Sequence, residues 1–203
     1  MQELPYLPAR HTSFFAQNPE NRVPHFTLTV ATSSDAFISR STDEPPQVWV
    51  SAEEQALFFR DVEAADWAIM GRNTHLAADK PHRRRIIFST KTKGWKRPSQ
   101  LWLDPADIAP ADLAALVEDV RPLQRGLILG GTRVHDWFLA QGAIDRVHLT
   151  VEPVAFGTGL PVFSDQNGTD PVAAFTSRGF HVLSDATLND AGTRYLELAS
   201  DRP

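Results

Sequence analysis

Gly130 and Gly131 stand at the end of a short apolar run, Leu127-Ile128-Leu129. Directly after them come Thr132, Arg133 and a helical pattern made by Val134, Phe138 and Leu139, with Trp137 alongside. The run is too short for a helix and reads as a buried strand that the glycine pair ends. A strand that turns into a helix through glycines leaves the first N–H groups of the helix free. With no Cβ atoms in the way, a ligand can approach that backbone closely. The helix dipole adds a preference for negative charge, so the chemistry on offer is phosphate binding. The same residues serve equally as a plain strand-to-helix turn.

Two further turns hold the same place after a strand. Phe26, Leu28 and Val30 alternate with Thr27 and Thr29 as a first strand, and Ser33-Ser34-Asp35 follows with side chains that bond their own backbone. Trp67-Ala68-Ile69-Met70 reads as a buried strand, with Gly71-Arg72-Asn73-Thr74 turning from it into a helix. Ile86-Ile87-Phe88 is a third strand, and Ser89, Thr90 and Lys91 form its exit. Asp35 is a candidate to orient a substrate or supply a proton, or else a turn cap. Ser51-Ala52-Glu53-Glu54 is a capping box, with Ser51 as N-cap and Glu54 folding back. Glu53 and Glu54 are either helix-start acids or holders of the ring nitrogens of a pterin or pyrimidine. His75, His135 and His148 lack metal-ligand spacing and read as structural or surface residues, so no metal site is expected. No nucleophile–base pair is legible. Trp95, among Lys and Arg, stacks a base or is simply a loop aromatic.

Charge is unevenly spread. Residues 80–97 hold eight of the twenty Lys and Arg and no acid, leaving 12 basic against 25 acidic residues elsewhere and a net charge of −5. The balance argues against a nucleic-acid partner, and the basic run suggests a discrete anionic ligand or a solvated loop. The 203 residues fit one domain with a real core. No run approaches the ~20 apolar residues of a membrane span, and the first residues lack a signal peptide's apolar core. Without cysteine, disulfide and thiolate chemistry are excluded. The cytoplasm is the expected location, with no membrane partner.

The elements that must position these groups follow in order. Residues 1–24, with Pro5, Pro8, Pro19 and Pro24, read as an N-terminal extension, and Phe14-Phe15 suggests a docked contact. The helix after Ser51 buries Leu57, Phe58 and Val62. Residues 91–98 read as a basic loop and Leu101–Leu103 as a short strand. Pro110 opens an amphipathic helix with Leu113, Leu116, Val117 and Val120 on one face. Val147, Leu149 and Val151 alternate with His148, Thr150 and Glu152 in a strand ending at Pro153. A glycine-rich loop spans Phe156–Pro161. Phe180, Val182 and Leu183 lead to Asn189–Gly192 and back through Tyr195, Leu196 and Leu198 as a hairpin. Strands alternating with helices imply an α/β fold with a mostly parallel central sheet.

Four stretches in this order resemble one family. They are Ala31-x-Ser33-x-Asp35-x-x-Ile38, Asp66–Thr74 (DWAIMGRNT), Gly130–Leu139 (GGTRVHDWFL), and Ile144–Pro153 with Gly157–Phe163. From about residue 25 to 199 the chain resembles the dihydrofolate reductase-like superfamily. It is most similar to the reductase domain of bacterial bifunctional riboflavin-biosynthesis deaminase-reductases and its stand-alone relatives. The resemblance implies a three-layer fold over residues 25–203, with helices on both faces of the sheet and a C-terminal antiparallel hairpin. It implies NADPH as hydride donor to a heterocyclic pyrimidine or pterin, with a dihydrofolate or pterin reductase, or a non-catalytic nucleotide-binding relative, as alternatives. Gly71, Arg72 and Thr74, and Gly130, Gly131, Thr132 and Arg133, would meet cofactor phosphates. Ser89, Thr90 and Lys91 would lie near the adenosine end. A cis peptide between the two glycines and a homodimer are also implied. The chain departs from the family at Ser34-Asp35-Ala36, where Leu-Asp-Gly is usual, and it has no cysteines to build a zinc deaminase. An ungapped count from Gly71 places the folate-binding carboxylate position at Gln55, one past Glu54.

Overall fold

The computed structural model describes residues 23–42, 44–166 and 168–201, so the expected contact at Phe14-Phe15 lies outside the described residues. Among the described residues are eleven strands and five α-helices: β1 (His25–Thr32), β2 (Phe37–Ser39), α1 (Ala52–Ala64), β3 (Trp67–Gly71), α2 (Arg72–Ala77), β4 (Arg85–Phe88), β5 (Gly94–Arg97), β6 (Gln100–Leu103), α3 (Asp112–Val117), β7 (Arg125–Gly130), α4 (Thr132–Ala140), β8 (Arg146–Val151), β9 (Leu160–Pro161), α5 (Ala173–Thr176), β10 (Phe180–Thr187) and β11 (Arg194–Ser200).

Nine strands form one sheet in the order β10-β11-β8-β1-β7-β3-β4-β6-β5. The inner six, β8 to β6, are parallel neighbours. β11 runs antiparallel to β8 and β10, and β5 antiparallel to β6, so both edges are antiparallel. The carboxyl ends of β1, β3, β4, β7 and β8 therefore share one edge. The architecture agrees with the expected mostly parallel sheet and closing hairpin.

The two faces differ. Phe26, Leu28 and Val30 of β1, with Ile69, Ile86, Ile128, Val147 and Leu149, meet Leu113 and Val117 of α3, Val134 and Phe138 of α4 and Phe175 of α5 in the main core. Each such side chain contributes roughly 1.5–3 kcal/mol when fully buried. The opposite face is covered by α1 and α2 and is partly polar. Under α2 lies a small cluster of Ala68, Met70, Ile87 and Trp102, with His75 edge-on to Trp102 at 5.1 Å. Under α1 the polar halves of β1 and β8 meet an equally polar helix face. Asp61 accepts from the Thr29 hydroxyl at 2.9 Å and pairs with His148 Nδ1 at 2.6 Å. The fully buried positions of α1 are Glu54 and Asp61, whereas Leu57, Phe58 and Val62 are only half-buried.

Two expectations are corrected, and one element is added. Residues 94–97 form the edge strand β5, whose mostly exposed Gly-Trp-Lys-Arg sequence carries no apolar alternation to signal it. The helix after Pro110 stops at Val117, ahead of the Arg121-Pro122 step that disfavours helix, and Leu116 and Val120 stay exposed. The short α5 was not anticipated; Asp170 caps it by accepting from the N–H groups of Val172 and Ala173.

Candidate functional site

β7 ends at a cis peptide between Gly130 and Gly131, and α4 begins at Thr132. The two glycines answer different needs. Gly130 has φ +87°, and a Cβ there would come within 2.5 Å of His135 Nε2. Gly131 has φ −83°, and a Cβ there would meet nothing nearer than Ile38 Cδ1 at 3.8 Å. Gly130 thus serves the fold, while Gly131 leaves open space before the first turn of α4. His135 sits beneath the turn, essentially buried, with Nδ1 2.9 Å from the Val162 carbonyl, and burial drives its pKa down to about 4. It is a neutral structural residue, as expected from its spacing. The Thr132 hydroxyl donates to the Pro161 carbonyl at 2.6 Å, which docks β9 on the start of α4 and leaves the Thr132 contribution to its backbone N–H.

Gly71 and Arg72 lie at the junction of β3 and α2, with Gly71 3.5 Å (as a would-be Cβ) from Val134 of α4, so this turn adjoins the Gly130-Gly131 turn. Arg72, Arg133 and Lys91 are exposed, and Thr74 is half-buried. None of the three cations forms an ion pair among the described residues. Ser89 is buried and its Oγ accepts from the N–H groups of Lys91 and Thr92, which shapes the turn leaving β4 and leaves Thr90 exposed.

The basic run is divided by strand direction. Arg85 pairs in register with Ala68 at the amino end of the sheet, and the 400 Å³ hollow formed by Lys80, Pro81, His82 and Arg83 lies on that side, away from the phosphate-type turns. Arg97 is held by Asp79 through a double contact of 2.7 and 2.8 Å, and Lys93 lies 3.6 Å from Asp104. Of the cations expected near an anionic ligand, Arg72, Lys91 and Arg133 are the ones left at the carboxyl edge.

The acidic candidates separate clearly. Asp35 accepts from the Ser33 hydroxyl at 2.6 Å and from the N–H groups of Phe156 (3.0 and 3.1 Å) and Gly157 (2.6 Å). Partial burial pushes its pKa up, but these hydrogen bonds outweigh it and hold the carboxyl below its ordinary value. Such a group is an anion that positions the turn, not a proton donor. Beside it, Ala36 is fully buried at φ +68°, a left-handed conformation that glycine adopts without steric cost and alanine rarely does. Glu53 is exposed and accepts from Asn189 Nδ2 at 2.9 Å, tying α1 to the hairpin turn.

Glu54 differs from both. Half of the expected capping box is present, with Glu54 N–H donating to Ser51 Oγ at 3.2 Å. The other half is not: the Ser51 N–H donates at 2.7 Å to Glu152, from β8's exit, and not to Glu54. The Glu54 carboxyl is left with no hydrogen bond among the described residues, and the residue is only 7% exposed. Burial, then the neighbouring carboxylates Glu152 and Asp61, push its pKa up to about 7. Glu152 itself was legible only as one of three polar residues alternating along β8. That pattern in an interior strand was the available signal that a polar helix face packs over it.

A mostly parallel sheet with glycine turns at its carboxyl edge, and with cations there that are unpaired among the described residues, has its crevice where open α/β sheets bind ligands. The chain belongs to the RibD C-terminal domain family, which it matches over residues 24–185. Solved structures of similar fold include a putative riboflavin biosynthesis protein from Shewanella sp. PV-4, at 18% identity, covering 88% of this chain and 99% of that one with a TM-score of 0.63. A diaminohydroxyphosphoribosylaminopyrimidine deaminase/5-amino-6-(5-phosphoribosylamino)uracil reductase from Thermotoga maritima is 16% identical, covering 89% of this chain but 57% of that one, with a TM-score of 0.64. RibD from Acinetobacter baumannii is 16% identical, covering 87% and 58%, with a TM-score of 0.66. No curated protein matches the chain.

Proposed function

We propose that the chain is an NADPH-dependent reductase of a pyrimidine in riboflavin biosynthesis, of the 5-amino-6-(5-phosphoribosylamino)uracil reductase type. Family membership supports the reaction class. The observation that carries the reading is the shared edge: the turns after β3, β4 and β7 leave the same carboxyl edge of the sheet as β8, whose exit residue Glu152 holds the N-cap of α1 beside Glu54, buried and without a hydrogen bond among the described residues.

The residues fit the cofactor. Space before α4, where a Gly131 Cβ would stand 3.8 Å from its nearest neighbour, admits a pyrophosphate against the N–H groups of Thr132 and Arg133. Gly71, Arg72 and Thr74 would meet the cofactor's phosphates from the β3 side, and Ser89, Thr90 and Lys91 would lie near the adenosine end. When bound, NADPH supplies the hydride. Glu54, retaining its proton up to near neutrality, would hold the substrate ring by donating to one heteroatom and accepting from another. Asp35 would keep the Ser33–Ala36 turn and the 156–157 loop in place over the reacting end. Homodimeric assembly and a cytoplasmic location follow the same family reading; a single-chain mass in light scattering at micromolar concentration would overturn the first.

The test is NADPH oxidation against ribosylaminopyrimidines, pterins and flavins. Turnover of a ribosylaminopyrimidine is the expected result. Cofactor binding without turnover of any compound would instead place the chain among non-catalytic nucleotide-binding relatives, and turnover of pterins alone would make it a pterin reductase.

A further inference from the structure

Glu152 is 3% exposed, and both of its carboxyl oxygens are engaged. Oε1 accepts from the Ser51 N–H, at the N-cap of α1, at 2.7 Å. Oε2 accepts from the Thr193 hydroxyl at 2.7 Å, and Thr193 is itself held by Asn189 Nδ2 at 3.1 Å. The Glu152 N–H donates to the Thr32 carbonyl at 2.8 Å. One residue thus joins the exits of β1 and β8 through its backbone and the start of α1 and the turn of the β10–β11 hairpin through its side chain. It takes the position on Ser51 that Glu54 would occupy in a capping box, and so releases Glu54 from that duty.

We propose that Glu152 is a positioning residue for the site: it takes the Ser51 N–H that a capping box would give to Glu54, so fixing the start of α1, and it sets a second carboxylate against the Glu54 carboxyl, which has no hydrogen bond among the described residues. The inference rests on the reading of Glu54 as the group that meets the substrate ring. The physical basis is elementary. A buried carboxyl without hydrogen-bond donors resists ionisation, and a like charge held nearby increases that resistance. The charges facing Glu54 are Glu152 from β8 and Asp61, two turns along its own helix. Asp61 is engaged by hydrogen bonds with His148 and the Thr29 hydroxyl and by an ion pair with Arg60. Glu152 has only uncharged donors. An uncharged acid presents a donor and an acceptor side by side, which matches the lactam edge of a uracil-type ring. A carboxylate presents two acceptors and matches the amidine edge of a 2-aminopterin.

The experiment is a carbon-13 NMR titration of the glutamate carboxyls in the full chain without substrate, with Glu54→Gln used to assign the Glu54 signal. In Glu152→Gln, which keeps shape and an acceptor for Ser51, the Glu54 midpoint falls by about one pH unit. Glu152→Ser serves as a second neutral variant should the glutamine variant not fold. Glu152→Asp, which keeps the charge, holds the midpoint near that of the parent. In turnover, the limb of kcat/KM that descends as Glu54 loses its proton moves to lower pH in the neutral variants. An unmoved Glu54 midpoint in a folded neutral variant overturns the inference, whatever happens to activity. A lowered midpoint supports it even if no ring compound is reduced, and that second result would count against the proposed function alone.

Discussion

The Gly157 N–H lies 2.6 Å from Asp35 Oδ2, closing a contact between residues 122 positions apart and binding the first turn of the sheet edge to the loop after β8. With the Phe156 N–H and the Ser33 hydroxyl also donating, the carboxylate is the anchor of both segments. Asp35→Asn leaves one acceptor and turns an amide toward backbone donors. Hydrogen bonds to charged groups contribute about 1.5–3 kcal/mol, and partial exposure reduces this, so a loss of about 1–2 kcal/mol is expected. Because the folded pKa is depressed, Asp35 contributes stability above its ordinary 3.8, and that contribution is lost as pH falls through the folded value. Parent and variant therefore converge below pH 3.8 in urea unfolding. kcat falls while NADPH affinity holds. Undiminished turnover with a substrate found by screening would mean that the turn Asp35 anchors does not reach the reacting end.

The two adjacent glycines separate folding from binding. A Cβ at residue 131 meets only Ile38 and φ there is ordinary, so Gly131→Val folds, though destabilised, yet its side chain fills the approach to the first turn of α4 and abolishes NADPH binding. Gly130→Ala forces a side chain into φ +87° and against His135, and is destabilised by at least about 2 kcal/mol. Thermal melts and cofactor titrations of both variants check the pair. Normal NADPH affinity in Gly131→Val removes this turn from the cofactor site.

How much of this was legible in the sequence depends on how local the determinant is. Backbone sites are written in glycines, so Gly71, Gly130 and Gly131 could be placed at strand exits before any coordinates. Strands with buried alternation, such as Phe26-Leu28-Val30, were equally plain. Partners distant along the chain were not: Ser51 was legible as an N-cap, but its N–H goes to Glu152, 101 positions away, and that substitution alone frees Glu54. The basic run misled because composition carries no direction. Only the parallel pairing of β4 with β3 shows that Arg83–Arg85 stand at the edge opposite Lys91.

That division sharpens the expected cofactor preference. NADPH differs from NADH by one phosphate on the adenosine ribose. Arg72 and Lys91 are exposed at the carboxyl edge and unpaired among the described residues, whereas Arg97 is spent on Asp79 and Arg83 lies on the far side. One charge-assisted hydrogen bond contributes about 1.5–3 kcal/mol, which is roughly tenfold or more in affinity. Calorimetry should show NADPH bound at least about tenfold more tightly than NADH, with the preference reduced in Arg72→Ala and Lys91→Ala and retained in Arg83→Ala and Arg97→Ala. Equal affinity of the parent for both cofactors would refute the assignment of these cations.

Glu54 carries a stability cost that its substitution should reveal. Its carboxyl titrates near 4.5 when unfolded and is pushed to about 7 in the fold, by burial first and then by Glu152 and Asp61. Between those values the native state binds the proton and the unfolded state does not, so stability falls as pH rises through that window. Above it the full cost is in place, and the gap corresponds to about 3 kcal/mol. Glu54→Gln has the same shape and no charge, so it removes the cost without opening a cavity. Parent and variant should therefore be alike at pH 4.5 and diverge above it, the variant being more stable by about 2–3 kcal/mol at pH 8. Urea unfolding at both pH values measures this directly. The gain should come with loss of the pH dependence of substrate binding, since the amide keeps a donor and an acceptor but cannot ionise. Equal stability of the two proteins at pH 8 would mean that Glu54 ionises at no cost in the fold, and the acid-form recognition built on it would fail with that result.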